Sequence, residues 1–398
     1  MTAAVTEAPS GRAVDALVVL NGVSTFGSGL VYPYTALYFA GVPAFGSSGV
    51  SVFYGVMAAA NLVTTALLAL GWIRPSPALL GATGTVMLAL GYFGVALAGS
   101  LPFLAGAVLL AGCGQGCLLV AMVPVLNSLV TAENRRATFA RRYRAVNIGL
   151  GAGAVVAGVT AGIFSASVLP WLFVGNALSY IPLVVVFLLV RRRIPAEATK
   201  VADTPHTPLW RLGIPALLAA VFQLGAYLFG HSQFEATAPL VAVQLMGVSL
   251  GAVSGLLLVN TAVVVFGQKW VTARLAGRDE AFGLRVAVLL WAGAYVLVSL
   301  SAFGSLPVRL AGLGVFALVF ALGECAYSCS YHPWLISSVS EKDITRVSAL
   351  ASSMMGVGMA SGPSIGIALV FTGSASVVWI CLAGMCLLLL FTLRGRSR

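Results

Sequence analysis

Two carboxylates stand where an aqueous charge has no solvent. Glu324 and Glu235 fall inside long apolar stretches, whereas the other nine of the 11 acidic residues lie in loops, tails or helix ends. An ionisable group within an apolar span is costly and faces a bundle interior or a water-filled cavity. Near each carboxylate, polar side chains recur at helical spacing. Gln223, Tyr227, His231 and Glu235 follow one another at strict intervals of four, and Glu324 is followed by Tyr327, Ser328, Tyr331 and His332. Residues three and four apart share a helix face, so both sets read as stripes turned away from lipid. The chemistry they offer is proton exchange. A carboxyl group in a low-dielectric cavity can trade protons near neutrality, and an imidazole such as His231 can relay them. The proton-coupling set is therefore Glu324, Glu235 and His231. The bland alternatives stay open: Glu324 permanently protonated or paired with a hydroxyl such as Tyr327, and His231 and His332 as polar lining.

Such stripes need apolar helices to carry them, and the composition supplies these. Of 398 residues 60% are hydrophobic and 8% charged, against roughly 25% charged in a soluble domain. A soluble core this apolar would have no polar surface to solvate it. Twelve apolar spans follow, at 14–40, 47–71, 77–98, 102–130, 140–164, 168–190, 213–241, 248–268, 281–303, 307–338, 347–371 and 376–393. Each approaches the ~20 residues that cross ~30 Å of hydrocarbon. Of the 22 Lys and Arg residues, 21 fall in the two tails and in loops 2/3, 4/5, 6/7, 8/9 and 10/11; Arg309 alone falls on the other side. Basic loops favour the cytoplasmic face. The expectation is a multi-pass protein of the cytoplasmic (inner) membrane with both termini cytoplasmic and no cleavable signal peptide. The net charge of +11 is spread over short loops, which argues against a nucleic-acid partner. Cys113, Cys117, Cys325, Cys329, Cys381 and Cys386 all lie in spans and read as small packing residues, with no metal and no cofactor expected.

The chain repeats itself. The tetrapeptide Gly-Ser-Leu-Pro opens span 4 at 99–102 and span 10 at 304–307. An ungapped offset of 209 aligns Gly114 with Gly323, Pro124 with Pro333, Gly149 with Gly358 and Gly153 with Gly362. The one long polar interruption lies between the halves. The expected organisation is an N-terminal six-helix bundle at 1–190, a cytoplasmic linker at 191–212 and a C-terminal six-helix bundle at 213–398. Six spans per half make each repeat start on the same side. The fold class is then an all-α membrane protein, twelve transmembrane helices in two six-helix bundles related by pseudo-two-fold symmetry.

Span 1 adds a third polar face, Asn21, Ser24, Thr25, Ser28 and Tyr32, and span 4 adds Gln115 with Asn127 nearer its end. Spans 1, 4, 7 and 10 hold the same place in each three-helix unit, which points to a central cavity. Its candidate lining is Asn21, Thr25, Ser28, Tyr32, Gln115, Gln223, Tyr227, Tyr327, Ser328, Tyr331 and His332. Ser, Thr and Tyr also serve as interhelical glue; Gln, Glu and His on one stripe fit that role less well. Glycines crowd spans 5 and 11. Gly149, Gly153, Gly358, Gly362 and Pro363 are candidates for a hinge or for plain close packing. No P-loop, G-x-S-x-G or H-E-x-x-H occurs, so neither direct ATP use nor a hydrolase or zinc-protease activity is expected.

The chain resembles the major facilitator superfamily over essentially its whole length, and within it the bacterial multidrug-exporter-like members. Arg144-Ala-Val-Asn147-Ile-Gly149 is similar to that group's R-x-x-N-x-G, and Gly362-Pro363-Ser364-Ile365-Gly366 to its G-P-x-x-G. Gly323-Glu324 and the stretch from Gln233 to Pro239 add to the likeness. The resemblance implies alternating access by two six-helix bundles, usually proton-driven, with Arg144 and Asn147 among the conformational residues. The loop 2/3 signature departs from the family, being reduced to Gly71-Trp-Ile-Arg74-Pro75 without an Asp, and span 5 has Gly153-Ala154 where the antiporter signature has Gly-Pro. The expected function is proton-coupled efflux of small apolar or amphipathic molecules by a monomer, with the lipid bilayer, the substrate and protons as its partners. A nutrient symporter or uniporter is one alternative, and a transporter-like receptor or scaffold that moves nothing is another.

Overall fold

The computed structural model describes residues 11–32, 35, 38–39, 45–73, 75–164, 168–192, 212–371 and 373–393. Among them every regular element is helical. Twelve spans are present: α1 Gly11–Val31, α2 Gly46–Leu70, α3 Pro77–Ala96, α4 Leu101–Ser128, α5 Ala132–Phe164 and α6 Leu169–Arg191 form the first six. The second six are α7 Ile214–Gln244, α8 Leu250–Arg274, α9 Glu280–Ser301, α10 Leu306–Ile336, α11 Ile344–Val370 and α12 Ala375–Leu393. Eleven of the described helices are long and apolar enough to cross a membrane. The twelfth, α5, joins an arginine-rich first third to an apolar, glycine-rich remainder.

The helix ends follow from local chemistry. Proline stands in the first turn of α3, α4, α6, α7 and α10, where its missing N–H is no loss. Asp279 caps α9 by accepting from the Phe282 N–H at 2.7 Å, as N-cap acids do. Gly71 closes α2 with φ 75°, a left-handed turn that favours glycine. One sequence expectation is corrected here. Span 5 was to begin at 140, but α5 starts at Ala132. Hydropathy marks only the apolar part of this helix, which begins earlier with an arginine-rich segment. The linker expected at 191–212 lies mostly outside the described residues.

The chain divides into two compact units, Met1–His206 and Thr207–Arg398. In the first, α1 packs on α5 and α6, α3 on α4 and α6, and α2 on α4. In the second, α7 packs on α11 and α12, α9 on α10 and α12, and α8 on α10. Every pairing in one unit recurs six helices later in the other. The repeated glycines make close approaches in both units. A Cβ at Gly149 would stand 2.1 Å from the Gly22 carbonyl oxygen of α1, and one at Gly153 2.0 Å from that of Phe26. Their repeat partners face α7: a Cβ at Gly358 would meet the Leu224 oxygen at 2.9 Å, and one at Gly362 the Ser232 Cβ at 2.5 Å. Small residues let membrane helices approach closely enough for backbone dispersion contacts.

Candidate functional site

The second unit holds a buried carboxylate with two donors. Gly323 lets α10 approach α9, since a Cβ there would stand 2.6 Å from the Trp291 ring. Glu324 is thereby carried into the interior of its unit and is only 7% exposed. Its Oε1 lies 3.0 Å from His231 Nδ1 of α7. Its Oε2 accepts a hydrogen bond from Asn260 Nδ2 of α8 at 2.7 Å. A buried carboxylate without partners would cost several kcal/mol, so these two contacts explain how the position is tolerated. The imidazole of His231 is packed among the rings of Tyr227, Trp291 and Tyr327, with centroids at 4.7, 5.3 and 5.2 Å. Tyr327, the alternative partner for Glu324, donates its hydroxyl to Gln223 Oε1.

The helix that delivers His231 is not a regular α-helix. Tyr227–His231 and Gln233–Thr237 are π-helical, a widened i→i+5 turn that is rare and frequent at functional sites. Gln233 Nε2 donates to the Leu228 carbonyl five residues back at 2.6 Å and to the Gly362 carbonyl of α11 at 2.7 Å. The Ser232 hydroxyl donates to the Gly358 carbonyl at 3.3 Å, and Thr237 donates to Gln233 Oε1 at 2.6 Å. Side chains thus take up carbonyl positions along the widened turns and tie them to the glycine seam of α11. Of the expected stripe of Tyr227, His231 and Glu235, the first two stay together across the widened turn, their rings 4.7 Å apart. His231 is buried against Glu324, whereas Glu235 is exposed. The Glu235 carboxyl group is still within electrostatic reach of both.

The remaining expected residues separate into two groups. In the second unit Ser328 donates to Gln268 Oε1 at 3.1 Å, and Tyr331 donates to the Ala219 carbonyl at 3.1 Å. Both are buried in helix contacts, and His332 is half-buried beside Tyr331. In the first unit Asn21 accepts from Arg142 Nε at 2.9 Å, Thr25 donates to the Val146 carbonyl at 3.2 Å, and Ser28 meets the Tyr180 hydroxyl at 3.1 Å. These contacts stitch α1 to α5 and α6. Asn147 bonds the Tyr143 carbonyl within α5 at 2.9 Å. Arg144 and Gln115 are half-buried and Tyr32 is exposed. Pro363 lies inside α11.

Three residues of the site escaped the sequence reading: Asn260, Gln268 and Trp291. Asn260 and Gln268 stand eight residues apart in span 8, little more than two turns. Both reach α10, the second by donating to the Cys325 carbonyl at 3.1 Å. The pair was the available signal. Trp291 had none, because nothing in an apolar span marks which indole abuts a histidine.

Twelve helices in two repeated six-helix units, eleven of them long and apolar enough to cross a membrane, define a polytopic membrane transporter rather than an enzyme. The chain belongs to the major facilitator superfamily: the family profile matches residues 15–330. Solved structures share the fold. The human organic anion transporter MFSD10 (TETRAN) superposes with a TM-score of 0.69 at 18% identity, covering 97% of this chain and 100% of its own. A bacterial homologue of the iron transporter ferroportin in the outward-facing state reaches 0.76 at 11% identity, over 97% and 100% of the two chains. The E. coli fucose:proton symporter reaches 0.64 at 17%, over 97% and 98%. A comparison with curated protein sequences finds no match.

Proposed function

We propose that this transporter exports small apolar or amphipathic molecules by alternating access, coupled to protons through Glu324. The observation that carries the reading is the buried Glu324 with His231 at 3.0 Å and Asn260 at 2.7 Å. A carboxylate kept at the cost of burial, with a titratable imidazole against it, is a functional site before it is a structural one. Together the pair holds a net charge of −1, 0 or +1 according to its protons. A charge change inside a low-dielectric helix bundle alters the relative energy of conformations that expose the site differently. A ligand shifts a conformational equilibrium only by such unequal affinity. Efflux is favoured by the sequence resemblance to exporters and by the aromatic surroundings of the site, which suit apolar substrates. The orientation proposed from the basic loops places both termini in the cytoplasm of a cytoplasmic (inner) membrane.

The test is transport by the purified protein in proteoliposomes. A pH gradient of either sign is imposed, and lipophilic fluorescent dyes and a panel of sugars are followed together with lumenal pH. Dye moving against its own gradient in exchange for protons supports the proposal. Sugar accumulation with protons would establish a symporter instead, and no flux of either would favour a receptor. A tag at Thr204 that reacts from outside intact cells would overturn the orientation.

A further inference from the structure

Glu324 has two oxygens, and the two are not equivalent. Asn260 Nδ2 donates to Oε2 at 2.7 Å, so Oε2 must be an acceptor, either a carboxylate oxygen or the C=O of the acid. A proton on Glu324 then belongs on Oε1, facing His231 Nδ1 at 3.0 Å. Resting on the reading of Glu324 as the coupling group, we propose that Asn260 is a positioning residue that confines this proton to the line between Glu324 Oε1 and His231 Nδ1, so that the proton leaves and returns only through the far nitrogen of His231.

The step balances without any other group. In the protonated state Oε1–H donates to Nδ1, and His231 carries its own hydrogen on Nε2. On release, the Oε1–H bond breaks as Nδ1–H forms, and the Nε2–H bond breaks with its proton passing to water. Glu324 is left as a carboxylate accepting from Nδ1–H and from Asn260. The same two heavy-atom distances satisfy Glu324 before and after. The whole change falls on Nε2. That atom is buried, in a residue 7% exposed, and has no partner among the described residues. An unpaired buried N–H is expensive and an accessible one is not. The facing state that brings water to Nε2 is therefore the one in which the proton is exchanged.

The titratable groups around the pair are Glu235 and Tyr227 on α7, Tyr295 on α9, and Cys325 and Tyr327 on α10. From α8, among the described residues, come the amides of Asn260 and Gln268. Of these neighbours Glu235 alone is a carboxylate, and Glu235→Gln serves as the control for its contribution.

The chain has three histidines, which makes nitrogen NMR of the protein carrying 15N-histidine practicable. His231→Asn identifies the His231 signals. In the wild-type protein His231 Nδ1 should stay hydrogen-bonded at every pH while Nε2 gains and loses the proton. Titration at Nδ1, with Nε2 unchanged, overturns the inference. In Asn260→Leu the Nδ1 signal should split between bonded and free forms, and the pH dependence of dye exchange should shift, with Asn260→Asp as a second, isosteric variant. A folded Asn260→Leu with wild-type NMR and pH dependence refutes the positioning role. If Glu324→Gln abolishes the pH dependence in that case, the coupling proposal survives and only this inference fails. If Glu324→Gln retains it, the coupling proposal fails as well.

Discussion

The two halves share their helix order, their pairings and their glycine seams, yet differ where α4 and α10 match. At the offset of 209, Glu324 corresponds to Gln115, which has nearly the same shape and no charge. The helix before each glycine seam differs in the same sense. Gly149 and Gly153 sit over the carbonyls of Gly22 and Phe26, and Gly358 and Gly362 lie against Leu224 and Leu228. Gly153 also lies against Gly29 and Gly362 against Ser232, so the widened turns of α7 shift that register by one residue. A Cβ at Gly29 would stand 2.2 Å from the Leu150 carbonyl oxygen. The first half closes there by backbone contact, and the second by the Ser232 side chain against Gly362. Duplication supplied the scaffold twice, while the acid, the base and the widened turns of α7 belong to one copy. The first half's polar residues hold α1, α5 and α6 together, and the second half's surround the Glu324–His231 pair.

This contrast can be broken most severely by moving the carboxyl group. The double variant Glu324→Gln with Gln115→Glu keeps composition and net charge. It should still have lost proton-driven accumulation by about tenfold or more, the scale of a coupling free energy of 1–3 kcal/mol, because spans 1–6 contain no histidine. Recovery of accumulation in proteoliposomes would show that either half can host the site.

A smaller effect sharpens the packing half of the comparison. Gly149→Ala and Gly153→Ala place a methyl group about 2 Å from fixed carbonyl oxygens of α1. Each should cost about 2–3 kcal/mol, the upper range for overpacking. Gly358→Ala and Gly362→Ala meet their nearest atoms at 2.7 and 2.5 Å and should cost about 1 kcal/mol. Unfolding in detergent measures the difference, and equal losses in the two seams would mean they are equally tight. The smallest effect is expected at the Arg141–Asp15 ion pair, whose side chains are 48% and 55% exposed. Asp15→Asn should change stability by no more than about 0.5 kcal/mol, as exposed pairs do; a loss of several times that would give this pair a latch role.

The apolar spans, the six-plus-six repeat and the isolated carboxylates were all legible, because hydropathy and burial cost act residue by residue. Glu324 and His231 were recognised separately as groups out of place. Their contact was not, since helical spacing predicts faces within one helix and says nothing of which faces meet. The π-turns at Tyr227–His231 and Gln233–Thr237 were hidden for a related reason. They are tied down by Gln233 and Ser232 bonding to α11, which is tertiary structure overriding local propensity. Asn260 had a signal only as one of a pair with Gln268, two turns apart in span 8, and its partner on α10 lies beyond what spacing within one helix can show.

The central claim is that the carboxyl group of Glu324 couples protons to transport, and Glu324→Gln tests it with almost no change of volume. Reconstituted beside the wild type, this variant should bind dye and exchange it across the membrane at a comparable rate. It should no longer accumulate dye when a pH gradient is imposed, nor move protons when dye is added. Accumulation at the wild-type rate would contradict the account and remove Glu324 from the coupling role.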